Sequence, residues 1–202
     1  MIVFATGNEG KMKEIREIMA DMDCTILSMK EAGIDLDIVE DGTTFEENAV
    51  IKARAVAQAC GKIVLADDSG LEIDYLDGAP GIYSARYMGE DTPYTEKNAA
   101  LIRQLDGVED AQRSARFVCV IAAAVPDGEV LTADGVIEGR IAYEASGDHG
   151  FGYDPIFYVP EFDKTTAEMS DQEKNAVSHR GKALQKMKVL LQEKGLIGAK
   201  VL

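Results

Sequence analysis

Two adjacent acids, Asp67 and Asp68, follow the apolar run "KIVLA" within the stretch "LADDSGLEID". Side chains on a strand alternate between its two faces, so the pair can point the same way only where the strand has stopped. Ser69 and Gly70 favour such a stop. Because neighbouring carboxylates resist ionisation unless a donor or a cation offsets their charge, the stretch suggests a metal site. An ordinary turn decorated with acids is the alternative.

The stretch "TGNEGK", residues 6–11, lies between the β-type run "MIVFAT" and the helical pattern "KMKEIREIMADM". Glycines allow backbone N–H groups to approach an anion, a helix N-terminus favours negative charge, and Lys11 can reach a phosphate. The stretch therefore suggests a phosphate-binding loop, with a plain strand-to-helix turn as the alternative. It is not the P-loop of the common NTPases, because Gly7 and Gly10 are too close together and Met12 replaces the required hydroxyl.

A carboxylate and a lysine flank the start of a second predicted helix, in "EDGTTFEENAVIKAR". Glu40 precedes the helix and could join Asp68 on a cation, while Asn48 and Lys52 lie one turn apart on one helix face. Ligands that are all oxygen favour Mg²⁺, with Mn²⁺ as a substitute, and two histidines are too few for a His-rich zinc site. A merely solvated Lys52 is the alternative.

Two later stretches, "GFGYDPIF" and "EKNAVSHRG", hold groups that could contact a ligand. Phe151 lies between two glycines, where it is better placed to stack on a flat ring than to fill a core, and Asp154 is a nearby acceptor. Lys174, His179 and Arg180 are donors for a carbonyl or phosphate oxygen. The alternatives are an aromatic side chain that fills the base of a loop and a solvated basic face.

Composition limits the class of protein. The chain has 202 residues, 46% of them hydrophobic, and a net charge of −15, which argues against binding to nucleic-acid polymers or anionic membranes. Three widely spaced cysteines indicate neither a disulfide framework nor a zinc knuckle. No apolar run approaches the roughly 20 residues that span a bilayer, and no signal peptide is visible. We expect a soluble protein of the reducing cytoplasm.

The order of the elements predicts an α/β fold. Strands and helices alternate early, and two β-type runs joined through "PDG" favour a late antiparallel hairpin. The resulting mixed sheet would be flanked by helices. Capping boxes are predicted at Thr43 or Thr44 and at Ser170, and a last helix from Lys182 to about Lys194. One further motif, "DLDIV" at Asp35, fits aspartyl-phosphate phosphatases, but no apolar strand precedes it and we interpret it as chance.

Taken in order, six stretches resemble the inosine/xanthosine triphosphate pyrophosphatases. They are "ATGNEGK", "GTTFEENAVIKAR", "LADDSGLEID", "GAPGIYSARY", "GFGYDPIF" and "SHRGKAL", and the likeness extends over nearly the whole chain. The resemblance implies one domain, residues 1–202, with an elongated mixed β-sheet flanked by helices and two lobes around a central active-site cleft. It also implies a homodimer. The implied reaction is Mg²⁺-dependent hydrolysis of ITP, dITP or XTP to the monophosphate and pyrophosphate.

The resemblance also assigns roles to residues. Glu40 and Asp68 would hold the metal, Asp68 would also be the base that activates water, and Lys52 would assist at the triphosphate. Asp67 would be either a second metal ligand or an orienting neighbour. The remaining residues would bind substrate, the first six at the triphosphate and most of the others at the purine: Thr6, Gly7, Asn8, Glu9, Gly10, Lys11, Ser69, Phe151, Gly152, Tyr153, Asp154, Lys174, His179 and Arg180.

Two rival functions stay open on the sequence. A related pyrophosphatase that acts on modified pyrimidine nucleotides would use the same stacking ring. A nucleotide-binding regulator without turnover would retain the binding loop but would not need Asp68.

Overall fold

The computed structural model describes residues 1–126 and 128–198. Its described residues fall into two compact units. The first unit comprises Met1–Asp68, Cys119–Gly135 and the helix from Arg180 onward, and the second comprises Ser69–Val118 and Val136–His179. Within the described part of the chain, no helix is both long and apolar enough to cross a bilayer.

The described residues form a seven-stranded mixed sheet with the order β2-β1-β3-β4-β5-β6-β7. β1 pairs in parallel with β2 and β3, whereas β6 pairs antiparallel with β5 and β7. The predicted mixed sheet is therefore confirmed. The strands are β1 (Ile2–Phe4), β2 (Ile26–Ser28), β3 (Val64–Ile73), β4 (Ser114–Ala124), β5 (Val130–Ile141), β6 (Phe157–Val159) and β7 (Lys164–Thr165).

The helices begin where the sequence supplies a cap. Asn8 accepts from the N–H of Lys11, Thr44 from that of Glu47, and Ser170 forms the predicted capping box with Glu173. Of the two positions predicted for the second cap, Thr44 is therefore the one used. The α-helices are α1 (Glu9–Ile18), α2 (Phe45–Cys60), α3 (Tyr94–Gln104), α4 (Asp171–Val177) and α5 (His179–Glu193).

β4 and β5 are neighbours in the sheet and are joined by a short segment. The N–H of Val125 donates to the carbonyl of Glu129 across this segment at 2.9 Å. Adjacent strands with so short a connection must run antiparallel, because a parallel pair needs a long crossover. The predicted hairpin is thus confirmed, although Asp127 of its "PDG" turn lies outside the described residues, as do residues 199–202.

Each unit has its own apolar core. In the first unit, one layer packs β1, β3 and β4 against α1 and α5, and another packs the opposite side of the strands against α2. The predicted inner stripe of α2 is confirmed, since all four side chains are buried: Phe45, Ala49, Ala53 and Val56. The second unit packs β-strand residues such as Phe117 and Phe157 against Leu101 and Leu105 at α3.

The prediction that a strand ends at the acid pair is wrong. β3 continues through both acids to Ile73. Leu65 packs in the core with α1 and α5, whereas Ala66 packs in the core with α2. Because side chains alternate along a strand, Asp67 lies on the α1/α5 side and Asp68 on the α2 side. The strand persists because each acid finds cations on its own side.

Candidate active site

On the α2 side of β3, four polar side chains form a cluster that we call the acid–lysine cluster: Glu40, Asn48, Lys52 and Asp68. Lys52 Nζ donates to Glu40 Oε2 at 2.8 Å and to Asp68 Oδ1 at 3.3 Å. Asn48 Nδ2 donates to the other oxygen, Asp68 Oδ2, at 3.3 Å. The predicted metal ligands and the predicted assisting lysine therefore lie together in the first unit.

The approach of Glu40 to α2 depends on Gly42. Its N–H donates to Asn48 Oδ1 at 2.9 Å. A Cβ at residue 42 would lie 2.7 Å from that oxygen and 2.7 Å from the Cβ of Glu47, so only glycine fits this close approach. Asn48 thus links the segment that carries Glu40 to the carboxylate of Asp68.

Burial and charge tune this cluster. Burial raises the pKa of Asp68, Lys52 opposes the shift, and Glu40 and Asp67 add to it. Burial by itself would lower the pKa of Lys52. The negative charges of Asp68, Asp67 and Glu40 have the larger combined effect and raise that pKa, so the Lys52 side chain is a cation. A buried carboxylate with a raised pKa accepts a proton more readily than an exposed one, which suits a general base.

On the α1/α5 side, Asp67 belongs to a buried series of ion pairs that we call the arginine chain: Glu14, Arg180, Asp67 and Lys11. Arg180 Nη1 donates to Glu14 Oε2 at 2.6 Å and Nη2 to Asp67 Oδ2 at 3.1 Å. Lys11 Nζ lies 2.9 Å from the same Asp67 oxygen. Burial would raise the pKa of Asp67, but Lys11 and Arg180 lower it well below its ordinary value. Asp67 is thus a fixed anion.

Asp67→Asn is expected to destabilise the protein by about 3 kcal/mol, because it leaves buried cations without their anion. A carboxylate with a lowered folded pKa contributes stability that is present above its unfolded pKa of about 3.9 and lost as the pH falls below it. Chemical denaturation from pH 7 to pH 2 should therefore show a shallower acid decline in Asp67→Asn than in the wild type. Equal slopes would contradict this arrangement. Asp35→Asn, at an exposed position, is the control.

The predicted phosphate loop lies where expected, between β1 and α1. Asn8 Oδ1 caps α1 by accepting from the N–H of Lys11 at 3.0 Å, and Thr6 Oγ1 accepts from the N–H of Asn8 at 3.2 Å. Gly7, Asn8 and Glu9 are exposed. The loop therefore presents a helix N-terminus to solvent, with Lys11 beside it. Gly10 and Thr6 are half-buried.

The second unit contains most of the residues predicted to bind the base. Phe151 is half-buried, and Lys174 Nζ lies 4.9 Å from the centre of its ring. Asp154 Oδ2 accepts from Lys174 Nζ at 2.6 Å and from the N–H of Phe151 at 2.8 Å. Thr166 donates to the other Asp154 oxygen at 2.8 Å. Asp154 therefore fastens the segment that carries Phe151.

Close packing explains the glycines around Phe151. A Cβ on Gly150 would lie 2.2 Å from Asp154 Oδ2, and the residue has a φ of +73°. Gly152 also has a positive φ, and its carbonyl accepts from Asn98 Nδ2 at 3.1 Å. Since L side chains disfavour such backbone angles, the two glycines allow the sharp turn that holds Phe151 at the tip.

The other predicted binding residues of this unit have internal contacts. Tyr153 is buried, and its hydroxyl donates to the carbonyl of Ser84 at 2.6 Å. His179 is buried and stacks on Phe117, with ring centroids 4.8 Å apart. Ser69 is half-buried within β3. Asp35 of the phosphatase-like motif is exposed and follows no strand, in agreement with its interpretation as chance.

Sequence comparison places these residues in a known family. The Ham1 family model matches residues 2–190. The chain belongs to the Ham1 family. It is 52% identical to the dITP/XTP pyrophosphatase of Clostridium perfringens over 192 residues, covering 92% of this chain and 94% of that one. It is 49% identical to the dITP/XTP pyrophosphatase of Bacillus subtilis over 190 residues, covering 94% and 96%.

Solved structures of Ham1 proteins share the fold. A HAM1 protein from Coxiella burnetii matches with a TM-score of 0.86 and 45% identity, covering 95% of this chain and 98% of that one. The Staphylococcus aureus Ham1 protein matches with a TM-score of 0.84 and 43% identity, covering 96% and 98%. The α/β fold of this Ham1 chain is therefore that of the family, and the predicted family is confirmed.

Glu14 is the site residue that sequence reasoning missed. It is an acid on α1 that is only 8% exposed, and its partner Arg180 is 166 residues away in the chain. A signal was present, because Glu14 lies three residues after Lys11 and four before the buried Ile18 and so shares a helix face with both. A charged residue at the edge of an apolar helix stripe is a reason to predict a buried ion pair.

Proposed function

We propose that this Ham1 protein hydrolyses the triphosphates of deaminated purines, namely ITP, dITP and XTP, to the monophosphate and pyrophosphate. The observation that carries the proposal is the acid–lysine cluster, in which a buried Asp68 is held by Lys52 and Asn48 beside Glu40. It occurs in a chain about half identical, over nearly its whole length, to proteins named for dITP and XTP pyrophosphatase activity.

In this proposal Asp68 is the general base. Its raised pKa lets it take a proton from the attacking water, while Lys52 offsets negative charge that grows on phosphoryl oxygens. Lys11 and the N-terminus of α1 bind the leaving pyrophosphate. Together these groups supply proton transfer and charge stabilisation, which are what hydrolysis of a phosphoanhydride needs.

We propose Mg²⁺ as the cofactor, held by Glu40 and Asp68. Both carboxylates contact the Lys52 nitrogen, at 2.8 Å for Glu40 and 3.3 Å for Asp68, so the two acids converge on one place. No group of three or more acids, histidines or cysteines suited to a metal occurs among the described residues. This donor set fits Mg²⁺, which is commonly bound through one or two carboxylates with substrate phosphates as further ligands. When bound, the ion would neutralise phosphate charge.

Removal of divalent metal is expected to abolish hydrolysis. Excess EDTA should lower the rate to background, and Mg²⁺ should restore it fully, with Mn²⁺ as a weaker or equal substitute. The measurement is pyrophosphate release from ITP before and after each addition. Undiminished turnover in EDTA, after dialysis against the chelator, would contradict the metal proposal.

For the base, we propose that Phe151 stacks on the purine and that Lys174 and His179 donate to the 6-oxo group. Lys174 lies beside the Phe151 ring and is itself held by Asp154. Adenine has a 6-amino donor, so these donors would face a donor if ATP bound. Buried polar groups left unpaired can make such discrimination large. The 6-oxo group of guanine is also an acceptor, so rejection of GTP requires a further contact at the 2-position.

Phe151→Ala is expected to raise KM for ITP about tenfold and to leave kcat within about threefold, because stacking on a base is worth about 1–3 kcal/mol by alanine substitution. The conservative variant Phe151→Tyr should retain most of the affinity. Steady-state kinetics on ITP measures both constants. An unchanged KM in Phe151→Ala would show that the ring does not stack on the substrate.

A substrate panel tests the proposed function and its alternative. Turnover of ITP, dITP and XTP should exceed that of ATP, GTP and dUTP by at least about 10²-fold in kcat/KM, as expected where buried donors reject a mismatched edge. Preference for dUTP or another pyrimidine nucleotide would overturn the proposal in favour of the pyrimidine pyrophosphatase. Equal rates for all six would show that the base is not recognised.

Two further properties are proposed on family resemblance, a homodimer and a cytoplasmic location. Light scattering after size-exclusion chromatography tests the first, since a monomer has a mass of 21.8 kDa. Cell fractionation tests the second.

A further inference from the structure

The N-terminal half of α3 contacts the turn that carries Phe151. Tyr94 and Asn98 lie four residues apart, so they share one face of this helix. Asn98 Nδ2 donates to the carbonyl of Gly152 at 3.1 Å, although the two residues are 54 positions apart in the chain. The ring of Tyr94 meets the ring of Tyr153 edge-on, with centroids 5.1 Å apart. α3 therefore contacts both residues that follow Phe151.

The burial of Asn98 shows that its amide is not a simple packing group. The residue is only 4% exposed. Within the part of the chain that the structure describes, nothing donates to its second amide atom, Oδ1. A buried amide with one polar atom unpaired costs free energy, and an apolar side chain of the same shape would avoid that cost. Packing alone therefore does not account for an asparagine here, whereas donation to Gly152 does.

The turn around Phe151 needs to be fixed from outside. Gly152 has a φ of +67°, and a glycine loses more conformational freedom than any other residue when its backbone is fixed. The carboxylate of Asp154 accepts from the N–H of Phe151 at 2.8 Å. The amide of Asn98 holds the carbonyl of Gly152. Two side chains thus fix the backbone immediately before and just after the Phe151 ring.

We propose that Asn98 is a positioning residue for Phe151, whose amide holds the Gly152 carbonyl so that the aromatic ring is in place before the base arrives. This inference rests on the proposed function, because it assumes that Phe151 stacks on the base of the substrate. A ring fixed beforehand loses less conformational entropy on binding than a mobile one. Loss of the amide should therefore weaken binding of the base and leave binding of the phosphates unchanged.

Asn98→Leu in the full chain tests the proposal, because leucine has nearly the shape of asparagine but cannot donate. Affinity for inosine monophosphate should fall about fivefold, the loss expected for one hydrogen bond, whereas affinity for inorganic pyrophosphate with Mg²⁺ should stay within about twofold. The KM for ITP should rise about fivefold, with kcat within about twofold. Calorimetric titration and steady-state kinetics measure these constants. Arg103→Gln, at an exposed position of α3, is the matched control and should change none of them.

Stability and hydrogen exchange separate positioning from a general loss of structure. The Tm of Asn98→Leu should stay within about 3 °C of the wild type, because an apolar side chain of similar shape replaces a poorly paired amide. Hydrogen–deuterium exchange of the ligand-free protein should be faster in residues 150–154 of this variant and unchanged in Arg103→Gln. Should Asn98→Leu fail to fold, Tyr94→Leu takes its place at a position 39% exposed, with Tyr94→Phe, which keeps the ring, as its control.

A double-mutant cycle tests whether Asn98 acts through the ring. Adding Asn98→Leu to Phe151→Ala should weaken binding of inosine monophosphate by less than about twofold further, because the ring that the amide positions is already absent. A residue that contacted the base by itself would instead add its full fivefold loss in the double variant.

Three results would each overturn the inference. They are unchanged affinity for inosine monophosphate in Asn98→Leu, an equal loss for inosine monophosphate and pyrophosphate, and full additivity with Phe151→Ala. Failure of the proposed function would look different, because the wild type itself would not hydrolyse ITP. Hydrogen–deuterium exchange needs no substrate, so it decides in that case whether Asn98 holds the Phe151 turn. Unchanged exchange at residues 150–154 in Asn98→Leu would contradict it.

Discussion

Asp68→Asn is expected to lower kcat for ITP by about 10³-fold, because a positioned general base contributes about 10²–10⁴-fold. Asparagine retains the shape of the carboxylate but cannot take the proton from water, and it also removes one of the two proposed metal ligands. The fold should be preserved, since Lys52 keeps its contact with Glu40 and one buried charge is removed. Steady-state kinetics at saturating ITP and Mg²⁺ measures the loss.

The control for Asp68→Asn is Asp35→Asn, which should leave kcat unchanged. The opposite pattern, loss in Asp35→Asn and full activity in Asp68→Asn, would indicate an aspartyl-phosphate mechanism. A nucleotide-binding regulator would bind ITP without turnover in the wild type. Both variants would then bind ITP as the wild type does. Either outcome would contradict the assignment of Asp68 as the base.

Lys52→Met is expected to lower kcat by about 10²-fold, comparable to the loss of one preorganised donor at a developing anion. Methionine has nearly the same length, so the change removes the charge with little change in packing. It also leaves the carboxylates of Glu40 and Asp68 facing each other without the cation between them. Because removal of the ammonium leaves more negative charge where the ion would bind, we expect the variant to need a lower Mg²⁺ concentration for half-maximal activity.

Arg54→Met is the matched control, because Arg54 lies on the same helix with its side chain exposed. It should change neither kcat nor the Mg²⁺ requirement. A Lys52→Met variant with wild-type kcat would show that Lys52 serves only to hold the acids in place.

Much of the fold could be predicted from local patterns in the sequence. The helical stripes, the strand-to-helix turn at residues 6–11 and the cap at Ser170 depend on neighbours a few residues apart, and the structure has them where the pattern indicated. The prediction that the strand ends at the acid pair was wrong because Asp67, Asp68 and Ser69 are residue types that favour a turn. A strand could continue there only because cations distant in sequence lie on both sides of it.

The features that could not be predicted depend on contacts between residues far apart in the chain. Glu40 and Asp68 could be grouped from the sequence because a metal site would need both, and the family resemblance added Lys52, which contacts both acids. Nothing local indicates that Arg180 binds Glu14, or that Asp154 is occupied by Lys174 and Thr166. Asp154 was predicted to bind a ligand because a carboxylate near Phe151 is a suitable acceptor. The structure shows that its oxygens accept from protein groups.

The most direct test of the central claim is ³¹P NMR of the products after purified protein, Mg²⁺ and ITP are incubated together. The account predicts inosine monophosphate and pyrophosphate in equal amounts, with ATP left nearly intact under the same conditions. Inosine diphosphate and orthophosphate would contradict it, because the bond cleaved would then be the one between the β and γ phosphates.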